Sequence, residues 1–276
     1  MDAGPQVATE RRPRRAIGTP SRPVRLVVGW AVVAAVVVAW QILGDKGTLY
    51  YLPPFTTVMS HVGSLLTGSN LTQDVLPSAG RAVGGYVLGC GLGLLIGVIL
   101  GSFSRLDPWV RPVLEFFRAL PAPIAISLGL LLLGFSTMTR IYAIAFGCFW
   151  PVVVNTTDGA RRIDRQYIDV ARAAGVSRWR TLKEVVFPAS LPQAMAGLRL
   201  SVSLALIGMV ISELLGSSSG LGYFITNAES NFDYPDLWAA VVVLGIIGWL
   251  ATTLFALAER RVLRWHHEQG EASHRV

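Results

Sequence analysis

Six blocks of this sequence are almost free of charge, and they constrain its fold more than any other feature. Each block approaches the ~20 residues that an α-helix needs to cross a bilayer, the third and fourth being the shortest. Glu213 is the only Asp, Glu, Lys or Arg residue in any of them. We therefore predict an all-α, polytopic membrane protein with six transmembrane helices, at 26–43, 82–103, 119–135, 141–157, 200–221 and 237–258.

The composition supports a membrane protein and argues against another explanation of its positive charge. Of the 276 residues, 52% are hydrophobic and 15% are charged, which lies outside the range of most soluble domains. The formal net charge of +7 would also suit a nucleic-acid-binding protein. The arginines, however, flank the apolar blocks instead of forming one basic stripe. We therefore expect no nucleic-acid partner.

The basic residues also predict an orientation. Most of them lie before the first block, between the second and third, between the fourth and fifth, or after the sixth. Because basic loops tend to stay in the cytoplasm, both termini are predicted to be cytoplasmic. We expect a disordered basic arm near anionic lipid at 1–25, a transmembrane domain at 26–265 and a cytoplasmic tail at 266–276.

Small residues inside the blocks predict close packing. The second block carries a glycine every four residues, which on a helix forms a groove that a neighbouring backbone can approach. These glycines are Gly85, Gly89, Gly93, Gly97 and Gly101. Two cysteines, Cys90 and Cys148, also fall inside blocks, and such buried thiols suggest neither a disulfide framework nor a metal site.

Two stretches are candidates for lining or gating a pathway. Arg118, Pro121 and Pro123 begin the third block, and the prolines should bend or break its helix. A break in a membrane helix is typical of transport proteins, although an ordinary kink explains the prolines equally well. The second stretch, after Glu213, contains Ser217, Gly220 and Gly222 and is either a flexible gate or a plain turn.

A carboxylate within an apolar block is costly, so Glu213 needs an explanation. It either faces the bundle interior, pairs with a base, or lies near the outer mouth of the bundle. Arg81 and Arg199 are the candidate partners, and the sequence does not choose between them.

The segment 158–196 is far longer than a connection within a helical bundle requires. An apolar stripe that includes Tyr167 and Ala171 predicts a first short helix, which Gly175 ends. Ser177 is a suitable N-cap for a second helix, which we expect to run until Pro188. These features predict a helix–glycine–helix hook. An amphipathic pair that lies on lipid is the alternative.

The hook resembles the EAA loop of permease subunits of binding-protein-dependent ABC importers. The pattern of that loop is E-A-A-x3-G-x9-I-x-L-P. Here Asp169, Val170 and Ala171 begin it, Gly175 stands at the glycine position, and Val185, Phe187 and Pro188 close it. All spacings match, while Asp replaces Glu and apolar residues replace Ala, Ile and Leu.

The resemblance covers about residues 50–265. Within this range, several segments are similar to the nitrate/sulfonate/taurine branch of that family. The matching segments are 52–54, 118–123, 188–192, 197–199, 213–223 and 258–265. It implies a type I ABC importer permease fold in the plasma membrane of a prokaryote. The residues it assigns to ATPase coupling are Asp169, Val170, Ala171, Arg172, Ala173, Ala174, Gly175 and Pro188.

The resemblance also implies partners. Two cytoplasmic ATPase subunits, which hold ATP and Mg²⁺, would dock on the hooks of two permease copies, and an extracytoplasmic binding protein would deliver the substrate. Consistent with this division, the chain has no G-x4-G-K-[ST] phosphate loop, because neither Lys46 nor Lys183 follows a glycine. We expect no cofactor and no catalytic residue in this chain, which would not be an enzyme.

Two other classes of function are compatible with a polytopic membrane protein. An ion-coupled secondary transporter would favour several buried carboxylates or histidines, and only Glu213 is available. An integral membrane enzyme would need clustered catalytic groups at one depth. Among ABC substrates, alkanesulfonates and taurine are the first expectation; nitrate, bicarbonate, aromatic acids and vitamin precursors remain open.

Overall fold

The computed structural model describes residues 22–47, 49–103 and 107–264, and every regular element in these ranges is helical. The predicted arm at 1–25 and tail at 266–276 lie largely outside the described residues, although helix α1 already begins at Arg22. The helices are α1 (Arg22–Asp45), α2 (Phe55–Thr67), α3 (Leu76–Ser102), α4 (Asp107–Ala119), α5 (Ala122–Leu133), α6 (Thr137–Arg161), α7 (Arg165–Ala173), α8 (Arg178–Thr181), α9 (Phe187–Leu214), α10 (Leu221–Ser230) and α11 (Tyr234–Val262).

Two compact units make up the chain, residues 1–55 and 56–276. In the first unit, the Trp40 indole donates a hydrogen bond to the Pro53 carbonyl at 3.0 Å. The same ring meets Phe55 edge-on, with centroids 5.5 Å apart. These contacts tie the end of α1 to the segment that follows it.

Within the described ranges, α1, α3, α6, α9 and α11 are long and apolar enough to cross a membrane. The third predicted span is different, because α4 and α5 meet at an angle of 94°. The break falls at Leu120 and Pro121, so α5 has only 12 residues, about 18 Å of helix against a ~30 Å hydrocarbon core. The six predicted spans are therefore found as five long helices and one bent pair.

Helices α3 and α6 run parallel, and the glycines of α3 bring them into contact. A Cβ added at Gly85 would lie 2.5 Å from the Ile144 Cβ, and one at Gly97 would lie 2.6 Å from the Thr156 Cβ. Gly93 faces Val152 in the same way. The predicted groove is confirmed, and α6 is the helix that fills it.

Helix α9 packs antiparallel against α6. The Ser201 hydroxyl donates to the Cys148 carbonyl at 2.8 Å, and Gly197 lies against Pro151. Two ends of the bundle can therefore be defined. The hook end contains residues 97–102, 157–161 and 187–190, and the far end contains residues 74–81, 136–140 and 212–222.

Candidate coupling hook and buried polar cluster

The part of the predicted hook that lies between α6 and the π-helical turn, residues 162–181, is called the hook below, and it begins directly after α6 ends. Asp164 caps α7, and its side chain accepts a hydrogen bond from the Gln166 amide at 3.0 Å. An aspartate here satisfies a free amide and places a negative charge at the positive end of the helix dipole. Asp164 was not among the residues predicted from the sequence to cap a helix.

Gly175 ends α7 as predicted. Its φ is +72°, and no atom lies within 4 Å of the position that a Cβ would take. The Gly175 amide donates to the Arg172 carbonyl, and the Val176 amide reaches back to the Ala171 carbonyl. This pair of bonds is the Schellman motif, so glycine is required by the backbone conformation and not by packing.

One side of α7 is turned to the surface. Tyr167 and Val170 are 67% and 68% exposed, whereas Ala171 is 8% exposed. Asp169 and Arg172 form an exposed ion pair at 2.9 Å. Ala173 and Ala174 are exposed as well. The residues assigned to coupling thus form one accessible surface, apart from Ala171 and Pro188.

The second half of the hook differs from the prediction. Ser177 caps α8 as expected, with its hydroxyl accepting from the Arg180 amide. The helix does not end at Pro188, however. A π-helical turn at Leu182–Val186 joins α8 to α9, and one helical segment runs over 178–214. Because Pro188 falls in the first turn of α9, its missing N–H does not interrupt the helix.

The base of the hook is apolar. Val98 of α3, Ala160 of α6 and Val186 of the π-turn form a buried cluster, against which Ile163 and Leu182 pack. Both ends of the hook are therefore fixed to the bundle, while its tip projects from it.

At the far end, Glu213 is buried and paired. Its side chain is 1% exposed, and its carboxylate lies 2.6 Å from the Arg81 guanidinium, which is 6% exposed. The Ser78 hydroxyl contributes a further contact at 2.7 Å. Of the two candidate partners, Arg199 is excluded because it pairs with Glu259 on α11.

The same cluster holds the N-terminus of α10. The Gly220 amide donates to Asp74, the Leu221 amide to Ser78 and the Gly222 amide to Glu213, at 2.8, 2.8 and 3.0 Å. Three amides that the helix leaves unpaired are therefore satisfied by side chains from α9, from the start of α3 and from the π-helical turn Leu71–Val75 that precedes α3. Two of these side chains are carboxylates, which the helix dipole favours.

Glycine is needed at two positions of this segment. Gly220 has a φ of +113°, and a Cβ there would lie 2.5 Å from the Glu213 carboxyl carbon. A Cβ at Gly222 would lie 2.6 Å from the Glu213 Cβ. Ser217 closes a local turn by donating to the Ser219 carbonyl. The segment is thus an ordered turn with bonded amides.

Three residues of the far end were missed by the sequence analysis. Asp74 and Ser78 precede Arg81 by seven and three residues, so their helical spacing places them on one face with it, and that was the available signal. Arg140 is buried and donates to the carbonyls of Phe135, Ser212 and Gly216. It joins the α5–α6 turn to the end of α9.

The structure does not bring the pathway candidates together. Glu213, Arg81, Ser217, Gly220 and Gly222 lie at the far end. Arg118, Pro121 and Pro123 lie at the break between α4 and α5, and Arg118 lines a cleft with Asp158 and Arg161 at the hook end. They therefore form two separate groups.

Comparisons with known proteins agree with this architecture. The family described as "Binding-protein-dependent transport system inner membrane component" matches residues 91–265. An aliphatic sulfonates transport permease protein of Bacillus subtilis (strain 168) is 33% identical over 252 residues, 89% of this chain and 91% of that protein. A nitrate import permease protein of Synechocystis sp. (strain ATCC 27184 / PCC 6803 / Kazusa) is 26% identical over 240 residues, 84% of this chain and 87% of that protein.

A solved structure also matches. A chain in a structure described as inward-facing conformations of the MetNI methionine ABC transporter matches with a TM-score of 0.60 at 18% identity. The match covers 68% of this chain and 94% of the matched chain. At this identity the likeness concerns the fold alone.

Proposed function

The chain belongs to the family of binding-protein-dependent transport system inner membrane components, and we propose that it forms the translocation pathway for a small oxyanion of the alkanesulfonate, taurine or nitrate class. It is a multi-pass permease subunit of an ABC importer, and the family works with an ATPase and a substrate-binding protein. The substrate class is supported by relatives that are named for aliphatic sulfonates and for nitrate. Both are small anions with several oxygen atoms on one centre.

The ATPase contact is proposed at the tip of the hook. The observation that carries this proposal is the exposed apolar surface of Tyr167 and Val170 on a segment outside the membrane-length helices. Exposed apolar side chains at helical spacing are suited to a groove on a partner protein. Asp169 and Arg172 flank them and can hydrogen-bond to the same partner.

The structure offers a direct mechanical route from the hook to the far end. The helical segment 178–214 has 37 residues, or about 55 Å of helix at 1.5 Å per residue. Glu213, near its far end, is bonded to α10 and to Arg81. Movement of the hook by an ATPase would therefore displace the far-end cluster, as alternating access requires.

The assembly and orientation are parts of the same proposal. Two copies of the chain would form the pathway, two ATPase subunits would bind their hooks, and ATP and Mg²⁺ would be held by the ATPases. The hook end would face the cytoplasm of a prokaryotic cell, with both termini on that side. The arginines of 158–196 support this orientation through the positive-inside rule.

The docking proposal is tested by retention of the ATPase on the affinity-tagged permease. Val170→Glu places a charge in the apolar contact, and we expect at least a tenfold loss of co-purified ATPase because burying an unpaired charge is costly. Ser60→Glu adds the same charge at an exposed position of α2 and should leave retention unchanged. Full retention in Val170→Glu would contradict docking at this surface.

The substrate class needs a separate measurement. Thermal shifts of the partner binding protein with methanesulfonate, taurine, nitrate and bicarbonate would rank the candidates, and uptake by the complete transporter would follow. We expect stabilisation by a sulfonate first. Stabilisation by none of these anions, together with uptake of an uncharged solute, would contradict the oxyanion proposal.

A further inference from the structure

A cleft at the hook end lies outside the hook and outside the far-end cluster. Its volume is about 160 Å³, and helices α4 and α6 form its walls. Leu114 and Val154 contribute apolar surface. The polar side chains that line it are Arg111, Glu115, Arg118, Thr157, Asp158 and Arg161.

The pattern of α4 explains why this wall is polar. Arg111, Glu115 and Arg118 follow the i, i+4, i+7 spacing and therefore share one face. Trp109, Val113 and Phe116 lie on the opposite face, where they are exposed. The amphipathic helix thus turns its charged side towards α6.

Aromatic contacts fix α4 in this position. The Phe117 ring stacks on Trp150 of α6, with centroids 5.4 Å apart and an interplanar angle of 9°. Phe146 meets both rings edge-on. The walls of the cleft are therefore held together by side chains other than those that line it.

The lining has an excess of positive charge. Three guanidinium groups face two carboxylates, and one of these, Glu115, bonds to Arg111 at 3.1 Å. Within the part of the chain that the structure describes, the Arg118 side chain makes no hydrogen bond or ion pair. Its planar donors match the geometry of an oxyanion.

We propose that this cleft binds an oxyanion of the sulfonate, sulfate or phosphate type, with Arg118 as its main ligand and Arg111 and Arg161 beside it. The volume equals about five water molecules at ~30 Å³ each, which is enough for such a group. Two sources share this chemistry, a soluble anion on the hook side and the headgroup of an anionic lipid. Neither has to be the transported substrate, so the inference goes beyond the proposed function.

The position of the cleft gives a bound anion a specific consequence. Arg118 lies at the end of α4, which continues across the Pro121 break into α5. Arg161 is the last residue of α6, directly before the hook. An anion bonded to both would tie the bent span to the base of the hook and oppose their separation.

The test is equilibrium binding of ³⁵S-sulfate to the full chain purified in detergent, and it requires neither ATPase nor uptake. We expect saturable binding that Arg118→Gln weakens about tenfold, the loss typical of charge-assisted hydrogen bonds. Glu115→Gln removes a carboxylate that repels the anion and should tighten binding by roughly threefold. Arg260→Gln removes an equal charge from an exposed site on α11 and serves as the control.

A second arm identifies the lipid source. The chain is reconstituted in nanodiscs of phosphatidylcholine with phosphatidylglycerol, and retained lipid is counted by native mass spectrometry. Retention of phosphatidylglycerol that Arg118→Gln abolishes and Arg260→Gln preserves would support the site with a lipid occupant. Saturable sulfate binding with the same pattern would support a soluble occupant.

The inference is overturned if neither sulfate nor phosphatidylglycerol binds, or if Arg118→Gln and Arg260→Gln behave alike. Because both measurements omit transport, their failure is separate from failure of the importer proposal. Loss of ATPase retention in Val170→Glu, for example, leaves the anion result untouched.

Discussion

The two ends of the bundle differ in how their ion pairs are placed: the pair at the far end is buried, and the pair at the hook is exposed. At the far end, Glu213 and Arg81 are almost completely buried, and the carboxylate accepts hydrogen bonds from the Arg81 guanidinium, the Ser78 hydroxyl and the Gly222 amide. At the hook, Asp169 and Arg172 pair with each other at an exposed position, beside apolar side chains that nothing within the described chain covers.

The difference separates residues that hold this chain together from residues that are available to another molecule. A buried pair loses about 3–5 kcal/mol when one partner is removed, because the other charge stays in a dry site. An exposed pair contributes about 0.2–1 kcal/mol. Substitutions at the far end should therefore lower stability, and substitutions at the hook should alter association.

The strongest test of this contrast is Glu213→Gln. It removes the charge that pairs with the buried Arg81 guanidinium and replaces one of the two acceptor oxygens by an NH2 donor, so we expect a loss of about 3–5 kcal/mol in unfolding free energy. Thermal unfolding of the purified protein measures it. Glu229→Gln, an exposed acid on α10, is the control. Equal melting temperatures for the two variants would mean that the cluster is not structural.

The packing of α3 against α6, which runs between the two ends of the bundle, can be tested at the glycines of α3. Gly93→Leu would force a side chain against Val152, and we expect a loss of about 1–3 kcal/mol from overpacking. Gly91 lies two residues away, and a Cβ there meets nothing within 4 Å. Gly91→Leu should be almost neutral in the same unfolding assay. A loss in both variants would point to a general effect on α3.

A smaller effect is expected at the turn of the hook. Gly175→Ala must adopt a φ of +72°, which costs roughly 1–2 kcal/mol for a residue with a Cβ. Because no neighbouring atom would be displaced, Gly175→Asn should recover much of the loss. Hydrogen exchange of amides 170–177 should rise in the alanine variant. Unchanged exchange there would show that the turn does not depend on glycine.

The smallest effect on stability belongs to Asp169→Asn. Since its pair with Arg172 is exposed, we expect less than about 1 kcal/mol in unfolding free energy. ATPase retention, in contrast, should fall several-fold if the carboxylate contacts the partner. A large drop in melting temperature with normal retention would reverse the assignment of roles to the two ends.

Periodicity and composition predicted much of the fold because bilayer length and glycine spacing are local properties of the sequence. The spans, the groove on α3, the Gly175 stop and the Ser177 cap all belong to this class. The continuation of α8 through a π-turn into α9 does not. Pro188 indicated a helix end, and only the π-turn before it shows why the helix can continue.

The buried cluster was harder to predict because its partners are distant in sequence. Glu213 stood out in the sequence as a lone charge, yet its partner Arg81 lies 132 positions away. Asp74 belongs to the same cluster because it accepts a hydrogen bond from the Gly220 backbone amide. Within the described part of the chain, the Arg140 side chain donates hydrogen bonds only to backbone carbonyl oxygens, and no pattern of side chains in the sequence predicts such partners. These contacts depend on how helices pack, which local patterns do not encode.

The pairing of Arg81 with Glu213 has a consequence for how the protein is made. Glu213 is added to the chain 132 residues after Arg81, about 7 to 26 s later at 5–20 residues per second. Throughout that interval Arg81 lies near one end of the apolar stretch of α3 without the carboxylate it pairs with, and an arginine that lacks its partner is costly in hydrocarbon. Its entry into the bilayer should therefore remain incomplete until α9 arrives. Ribosome-bound chains that end before Glu213 should show an Arg81 region still accessible to water, and chains that extend past Gly222 should not.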